Sequence, residues 1–359
     1  MTIMEQYATS LVDSLIQEYG VNVDATRQVT LKKRHLAENT RIYEVEHLSP
    51  NAYIIDTPMT RRIACHPYVV GEELEGLTSK AAEQALPGIL ELSGLDEPKN
   101  HGEIVFEQIL RAAPGYQLHQ AASRLIPNSF KTIYIRPRYT HTSYRDHDGM
   151  VQRQLNVVYE DFSSLPRNSN ISLIMQDTVA SSRSAEISIE AAVNRSEKIG
   201  SRIKLWILYG FISLEGLKLL EKVAETHGIP LVAFAMGNLT ALCANNYDMP
   251  LYGVDEWLWR RDRSIRKLGA LVDRTTFAEY VQELIPGSDQ PGDWSARQTR
   301  LFTGTGYENG NISEHLENSI RLIKSLLEIG TFTDWQEQLA RDELKMLEQE
   351  LAKTRPEIS

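Results

Sequence analysis

The sequence predicts an α/β protein built around a parallel sheet, and three observations lead there. Between residues 104 and 235, short apolar runs alternate with stretches of helical spacing, the rhythm of a parallel sheet covered on both faces. Residues 171–187, ISLIMQDTVASSRSAEI, form an apolar run that ends in a carboxylate, crosses small hydroxyl residues and enters an amphipathic helical pattern. Of the 359 residues, 42% are hydrophobic, enough for a sizeable core in one large domain or two.

In chain order, Met4, Tyr7, Leu11, Leu15 and Ile16 have helical spacing, with Gly20 as a stop. Residues 28–33 read as a short strand, and 34–46 fit neither period. Residues 50–75 are irregular, with Pro50, Pro58 and Pro67 as breakers. Helical pattern returns from Ser79 to Ser93. Ile104–Ile109 is a strand, Tyr116–Leu125 a helix and Lys131–Arg136 the next strand. Residues 137–168 are polar and weakly periodic, with a strand pattern at Leu155–Tyr159; a stretch this long reads as a lid or a disordered segment. After the strand into Asp177 come a helix at Ala185–Asn194, a strand at Ile203–Tyr209, a helix at Leu214–His227 and a strand at Pro230–Ala235. Beyond residue 254 the pattern is mostly helical. Residues 257–272 read as an amphipathic basic helix, 286–311 as a Gly-, Asp- and Thr-rich linker, and Ile312–Leu327 and Trp335–Leu351 as two helices. Leu344, Leu347 and Leu351 make a stripe suited to docking, in cis or across a dimer.

The net charge of −10 argues against nonspecific nucleic-acid binding as the main role. Arg260, Arg261, Arg263, Arg266 and Lys267 read as a charged helix face, and Trp257 and Trp259 as packing residues. Cys65 and Cys243 are the only cysteines, so neither a disulfide framework nor a paired-cysteine metal signature is present. The N-terminus lacks the basic start and apolar run of a signal peptide, and no apolar segment approaches membrane-spanning length. A cytoplasmic protein is the expectation.

A strand feeding a helix leaves backbone N–H groups unpaired at the helix start, where positive partial charge suits a phosphate. Ser181, Ser182 and Ser184 would add hydroxyl donors, and Asp177, at the strand's carboxyl end, would point at whatever the phosphate is attached to. A buried strand with a polar loop and a serine cap satisfies the same pattern without a ligand.

Three segments resemble type I phosphoribosyltransferases, most closely the uracil phosphoribosyltransferases. Ile109-Leu110-Arg111-Ala112-Ala113-Pro114-Gly115 resembles their ILRAGLG pyrophosphate loop. Residues 171–187 resemble a degenerate form of the loop that binds phosphoribosyl pyrophosphate (PRPP). Residues 234–255, FAMGNLTALCANNYDMPLYGVD, resemble the base-recognition segment. The resemblance spans about residues 75–256. Gln176 stands where the family has the PRPP loop's first acid, Ser182 and Arg183 replace its glycines, and Leu251 and Tyr252 occupy a turn that bears glycine in uracil enzymes.

The resemblance implies a parallel-sheet, Rossmann-like type I core at 75–256, a partly helical N-terminal extension at 1–74 and a helical C-terminal extension at 257–359. It implies transfer of the 5-phosphoribosyl group of PRPP to a ring nitrogen, of uracil or a variant acceptor, with pyrophosphate released. Arg111 and Asp177 would be the catalytic residues. Arg111, Ala112 and Arg136 would bind pyrophosphate, Asp177 the ribose hydroxyls, and Ala180, Ser181, Ser182, Arg183 and Ser184 the 5′-phosphate. Tyr247, Gly253 and Asp255 would meet the base. Mg²⁺ would arrive on PRPP, with no metal held by the protein alone. In this family the peptide before the arginine can be cis. A lid carrying Arg138, His141, Arg145, His147 and Arg153 would close over PRPP, and the assembly would be a homodimer. The second reading is a non-catalytic descendant of the fold, serving as a ligand-sensing or interaction subunit.

Overall fold

The apolar runs become strands and the helical spacings become helices in the order expected. The computed structural model describes residues 3–48, 51–96, 102–125, 130–139 and 155–354. Its first part comprises α1 (Ile3–Tyr19), β1 (Thr26–Gln28), β2 (Arg41–Val45), β3 (Asn51–Asp56), α2 (Pro58–Cys65) and α3 (Gly71–Leu92). Then follow β4 (Glu103–Ile109), a 3-10 turn (Ala113–Tyr116), α4 (Leu118–Leu125), β5 (Lys131–Tyr139), β6 (Leu155–Asp161), β7 (Asn170–Gln176) and α5 (Arg183–Lys198). Next are β8 (Arg202–Ser213), α6 (Leu214–His227), β9 (Leu231–Thr240), β10 (Tyr252–Val254), α7 (Glu256–Asp262), β11 (Lys267–Gly269) and α8 (Arg274–Tyr280). The chain ends in β12 (Arg300–Phe302), β13 (Tyr307–Asn309), α9 (Ile312–Ile329) and α10 (Asp334–Thr354).

Nine strands form one sheet in the order β1-β2-β3-β9-β8-β7-β4-β5-β6. The six from β3 to β5 run parallel, while β1, β2 and β6 pair antiparallel at the edges. The fold is therefore α/β, with a mostly parallel sheet and helical additions. One face is covered by α1–α4 and α8, through residues such as Leu15, Ile63, Ala81, Leu118 and Phe277. The other is covered by α5 and α6, through Ala185, Ile189, Leu217 and Leu220. Every residue of β9 is buried, as suits a strand covered on both faces. From β4 the chain crosses outward to β5 and returns through β6 to β7 on β4's other side. The strand order thus reverses between β4 and β7, and in open α/β sheets a crevice forms beyond the carboxyl ends of the strands at such a point.

Several stretches differ from the sequence expectation, each for a local reason. Residues 50–75 are ordered: β3 joins β9, and Pro58 sits in the first turn of α2, where its missing N–H costs nothing. Thr57 caps that helix, accepting from the Thr60 N–H at 3.0 Å. The boundary expected at residue 74 falls inside α3, and the strands before it belong to the same sheet as those after it. The basic helix is only α7 long; Arg263 ends it in a left-handed conformation, φ 61°, and Lys267 starts a strand paired with β10. The expected linker at 286–311 is largely buried as far as residue 298 and then forms the β12–β13 hairpin. The leucine stripe of α10 docks in cis, with Leu347 and Leu351 buried against Leu316, Ile323 and Leu326 of α9. The lid positions His141, Arg145, His147 and Arg153 lie outside the described residues.

Candidate functional site

Two loops leave the sheet side by side at the point of reversal. Gln108 of β4 pairs with Gln176 of β7, so the segments beyond them emerge at one level. After β4, the Leu110 N–H donates to the Ile135 carbonyl at 2.7 Å, and the Leu110–Arg111 peptide is cis, the geometry the resemblance allowed for. Arg111 then projects to the surface, while the Ala112 carbonyl accepts from Gln298 Nε2 at 3.2 Å.

Alternation along β7 sends Gln176 and Asp177 to opposite faces. Gln176 is fully buried; it accepts from the Leu118 N–H at 2.9 Å and donates to Gln108 Oε1 at 2.7 Å, fixing the start of α4. An acid at this position would lose one of these bonds, because a carboxylate only accepts. Asp177 lies on the α5 side with 7% exposure. Burial lifts its pKa to about 7, against the opposing pull of the Thr178 N–H. Glu107, on the same face of β4, is fully buried with neither oxygen hydrogen-bonded. Burial and then the charge of Asp177 push its pKa well up.

Beyond Asp177 the backbone stays on β8: the Val179 N–H donates to the Phe211 carbonyl at 2.8 Å and the Ser213 N–H to the Val179 carbonyl at 2.8 Å. Gly210 makes this approach possible, because a Cβ there would stand 2.0 Å from the Asp177 carbonyl oxygen. The turn itself is short. Ser213 Oγ donates to the Ala180 carbonyl at 2.6 Å, Ser182 adopts φ 66°, and α5 starts at Arg183 with no side-chain cap from Ser182. The first-turn N–H groups of a 16-residue helix therefore face the loop without a serine filling their place. Ser182 is buried, Ser181 and Ser184 are half-buried and Arg183 is exposed.

Charge is concentrated past the end of β4, the strand next to β7. Arg111 Nη1 donates to Glu308 Oε2 at 2.8 Å, and Arg136 Nη2 donates to Glu308 Oε1 at 3.3 Å. Two guanidinium groups from adjacent strands thus share one carboxylate of the β12–β13 hairpin. The Arg111 hydrogen bond holds the Glu308 carboxyl below its usual range. Tyr116 stacks on Trp294 with ring centroids 4.4 Å apart, and its hydroxyl lies 2.5 Å from Thr178 Oγ1.

The structure thus brings together Arg111, Ala112 and Arg136 on one side of the reversal point and Asp177 with Ala180–Ser184 on the other. The residues expected at a base have other work. Asp255 is fully buried and caps α7; its oxygens accept from the Leu258 N–H at 3.3 Å and the Ala244 N–H at 2.9 Å, and Arg266 lies 3.6 Å away. Gly253 packs on Gly287, whose nitrogen a Cβ would meet at 2.0 Å. The Tyr247 hydroxyl donates to Asp293 Oδ1 at 3.3 Å. Glu107 and Glu308 were not expected here. An acid inside the apolar strand run FEQIL was the one available signal for Glu107, and nothing marks Glu308 within a segment that reads as a linker.

The described residues define an α/β protein in which an arginine-bearing loop and a serine-rich loop leave neighbouring strands at the reversal of its sheet. No protein-family model matches the chain, and no curated protein matches it in sequence. Solved structures similar to it include adenine phosphoribosyltransferase from Trypanosoma brucei, at 12% identity over 59% of this chain and 91% of that one, with a TM-score of 0.34. A hypoxanthine phosphoribosyltransferase from Staphylococcus aureus is similar at 15% identity and a TM-score of 0.25, over 36% of this chain and 64% of that one, less than two thirds of its length. Orotate phosphoribosyltransferase from Francisella tularensis is similar at 13% identity over 60% of this chain and 77% of that one, with a TM-score of 0.25.

Proposed function

We propose that the protein is a phosphoribosyltransferase that takes PRPP and a ring-nitrogen acceptor, uracil or a variant of it, and releases pyrophosphate. The observation that carries this reading is the convergence of Arg111 and Arg136 on one carboxylate at the end of β4, the strand paired with β7, which leads through Asp177 to the uncapped start of α5. It supplies one seat for a diphosphate and another for a monophosphate, separated by a carboxyl group. The 5′-phosphate sits on the α5 start, with Ala180 and Arg183 contributing backbone and Ser181, Ser182 and Ser184 hydroxyl groups. Asp177 accepts from the ribose hydroxyls. The ring nitrogen bonds to C1 as the C1–O bond breaks, its own proton passes to solvent, and the electron pair of the broken bond leaves with pyrophosphate, whose charge Arg111 and Arg136 stabilise. Mg²⁺ carried on the diphosphate would add charge neutralisation, and it needs few protein ligands. A homodimer is the expected assembly.

The competing reading, a ligand-sensing or interaction subunit that retains the fold without turnover, draws on Ser182 in the turn and on Glu308 at the arginines. Calorimetric titration with PRPP and Mg²⁺ tests binding, and no heat at millimolar ligand removes the enzyme reading. Pyrophosphate release with any member of a panel of bases removes the other. Arg111→Ala is expected to lower kcat/KM at least 100-fold, about 3 kcal/mol of lost transition-state stabilisation.

A further inference from the structure

We propose that Glu308 is a resident occupant of the diphosphate seat, which a bound diphosphate must displace, so that the β12–β13 hairpin sets the affinity of the site. This rests on the reading above for the identity of the seat. Each oxygen of the Glu308 carboxylate takes one guanidinium, Arg111 at 2.8 Å and Arg136 at 3.3 Å. The spacing imitates two oxygens of a phosphate anion bridging the same cations. One arginine lies just past the end of β4 and the other within β5, 197 and 172 residues away from Glu308 along the chain. Nothing local in the hairpin requires this contact; it follows from where the hairpin is anchored.

The hairpin is held along β12 and at its turn, and its acid is left exposed. Leu301 is buried, and Phe302 meets the Tyr134 ring of β5 edge-on at 5.5 Å. Gly304 lies against the Tyr159 ring of β6, where a Cβ would come within 2.4 Å. Glu308 itself remains 44% exposed. Water can therefore solvate the released carboxylate, and an ion pair this exposed is weak. A diphosphate brings more negative charge than one carboxylate and several acceptor oxygens, so it wins the exchange once it reaches sufficient concentration. The hairpin acts as a threshold: weak or singly charged anions fail to displace Glu308, and diphosphates succeed.

The test is calorimetric titration of the full chain with inorganic pyrophosphate and, separately, PRPP, each with Mg²⁺. It compares wild type with Glu308→Gln and Glu308→Ala, each checked for an unchanged melting curve. Both variants are expected to bind inorganic pyrophosphate at least tenfold more tightly than wild type, and Arg111→Ala added to either is expected to abolish the gain. Equal or weaker pyrophosphate binding in both variants, or no binding in any protein, overturns the proposal. Tighter pyrophosphate binding with no PRPP binding leaves Glu308 as the occupant and removes the phosphoribosyltransferase reading. PRPP binding of equal strength in wild type and both variants does the reverse.

Discussion

Asp177 ends β7 with a carboxyl group that burial holds near pKa 7 rather than 3.8. Because the folded value lies above the unfolded one, the protonated form stabilises the fold. Stability from this group is full below about pH 3.8 and declines as pH rises towards 7. Ligand binding has the opposite sign, since ribose hydroxyls donate to the ionised carboxylate. PRPP affinity is expected to fall by up to tenfold per pH unit below 7, and Asp177→Asn to flatten that slope; titrations at pH 5.5 to 8 check it. The ligand's own phosphate titration is common to both proteins and cancels in their ratio. A wild-type slope that persists in the asparagine variant would remove Asp177 from the ribose. At this scale the places of Arg111 and Asp177 in the fold, just past the carboxyl ends of β4 and β7, were legible because each follows an apolar run. Asp255 was not, because a cap and a ligand-facing acid look alike in sequence until the backbone N–H groups of Ala244 and Leu258 are seen to claim it.

At the scale of elements, the start of α5 is where sequence and backbone pull apart. Ser182 occupies φ 66°, a conformation that costs an L-residue about 1 kcal/mol and that glycine adopts freely. Ser182→Gly is therefore expected to raise stability by about 1 kcal/mol in urea melts, while Ser182→Val lowers it. A loss with glycine would mean that the serine hydroxyl holds the turn despite making no cap. The parallel strands and their crossover helices were legible because β4, β7, β8 and β9 are buried on both faces and read as near-continuous apolar runs. The edges were harder. Pro58 and Pro67 suggested irregular chain, yet a proline at a helix start is favourable, and β2 and β3 are too short for alternation to declare itself. In α7 the arginines extended the apparent helix past Arg263, where a left-handed residue and the pairing with β10 end it.

Across the whole molecule, the segment that leads into the β12–β13 hairpin is held by a buried cation rather than by apolar periodicity, which is why residues 286–311 read as a linker. Arg297 is fully buried, and its guanidinium donates to the carbonyls of Val69 at 2.9 Å, Ile63 at 3.1 Å, His66 at 3.2 Å and Pro291 at 2.9 Å. It ties the chain end of α2 and the α2–α3 connection to the segment that carries Trp294, Gln298 and, beyond them, Glu308. Burial lowers its pKa to about 10, which still leaves it charged at neutral pH. Removing the cation would recover its desolvation cost but leave several buried carbonyls without a donor, each worth about 1–3 kcal/mol. The second effect wins by count, so Arg297→Met is expected to lose about 3–5 kcal/mol of stability in urea melts. The same change should free the hairpin's root. Limited proteolysis is then expected to cut first within 286–311, and pyrophosphate affinity to rise while stability falls, because Glu308 is no longer held over Arg111. Stability and affinity falling together would instead show that this segment builds the anion seat and does not guard it.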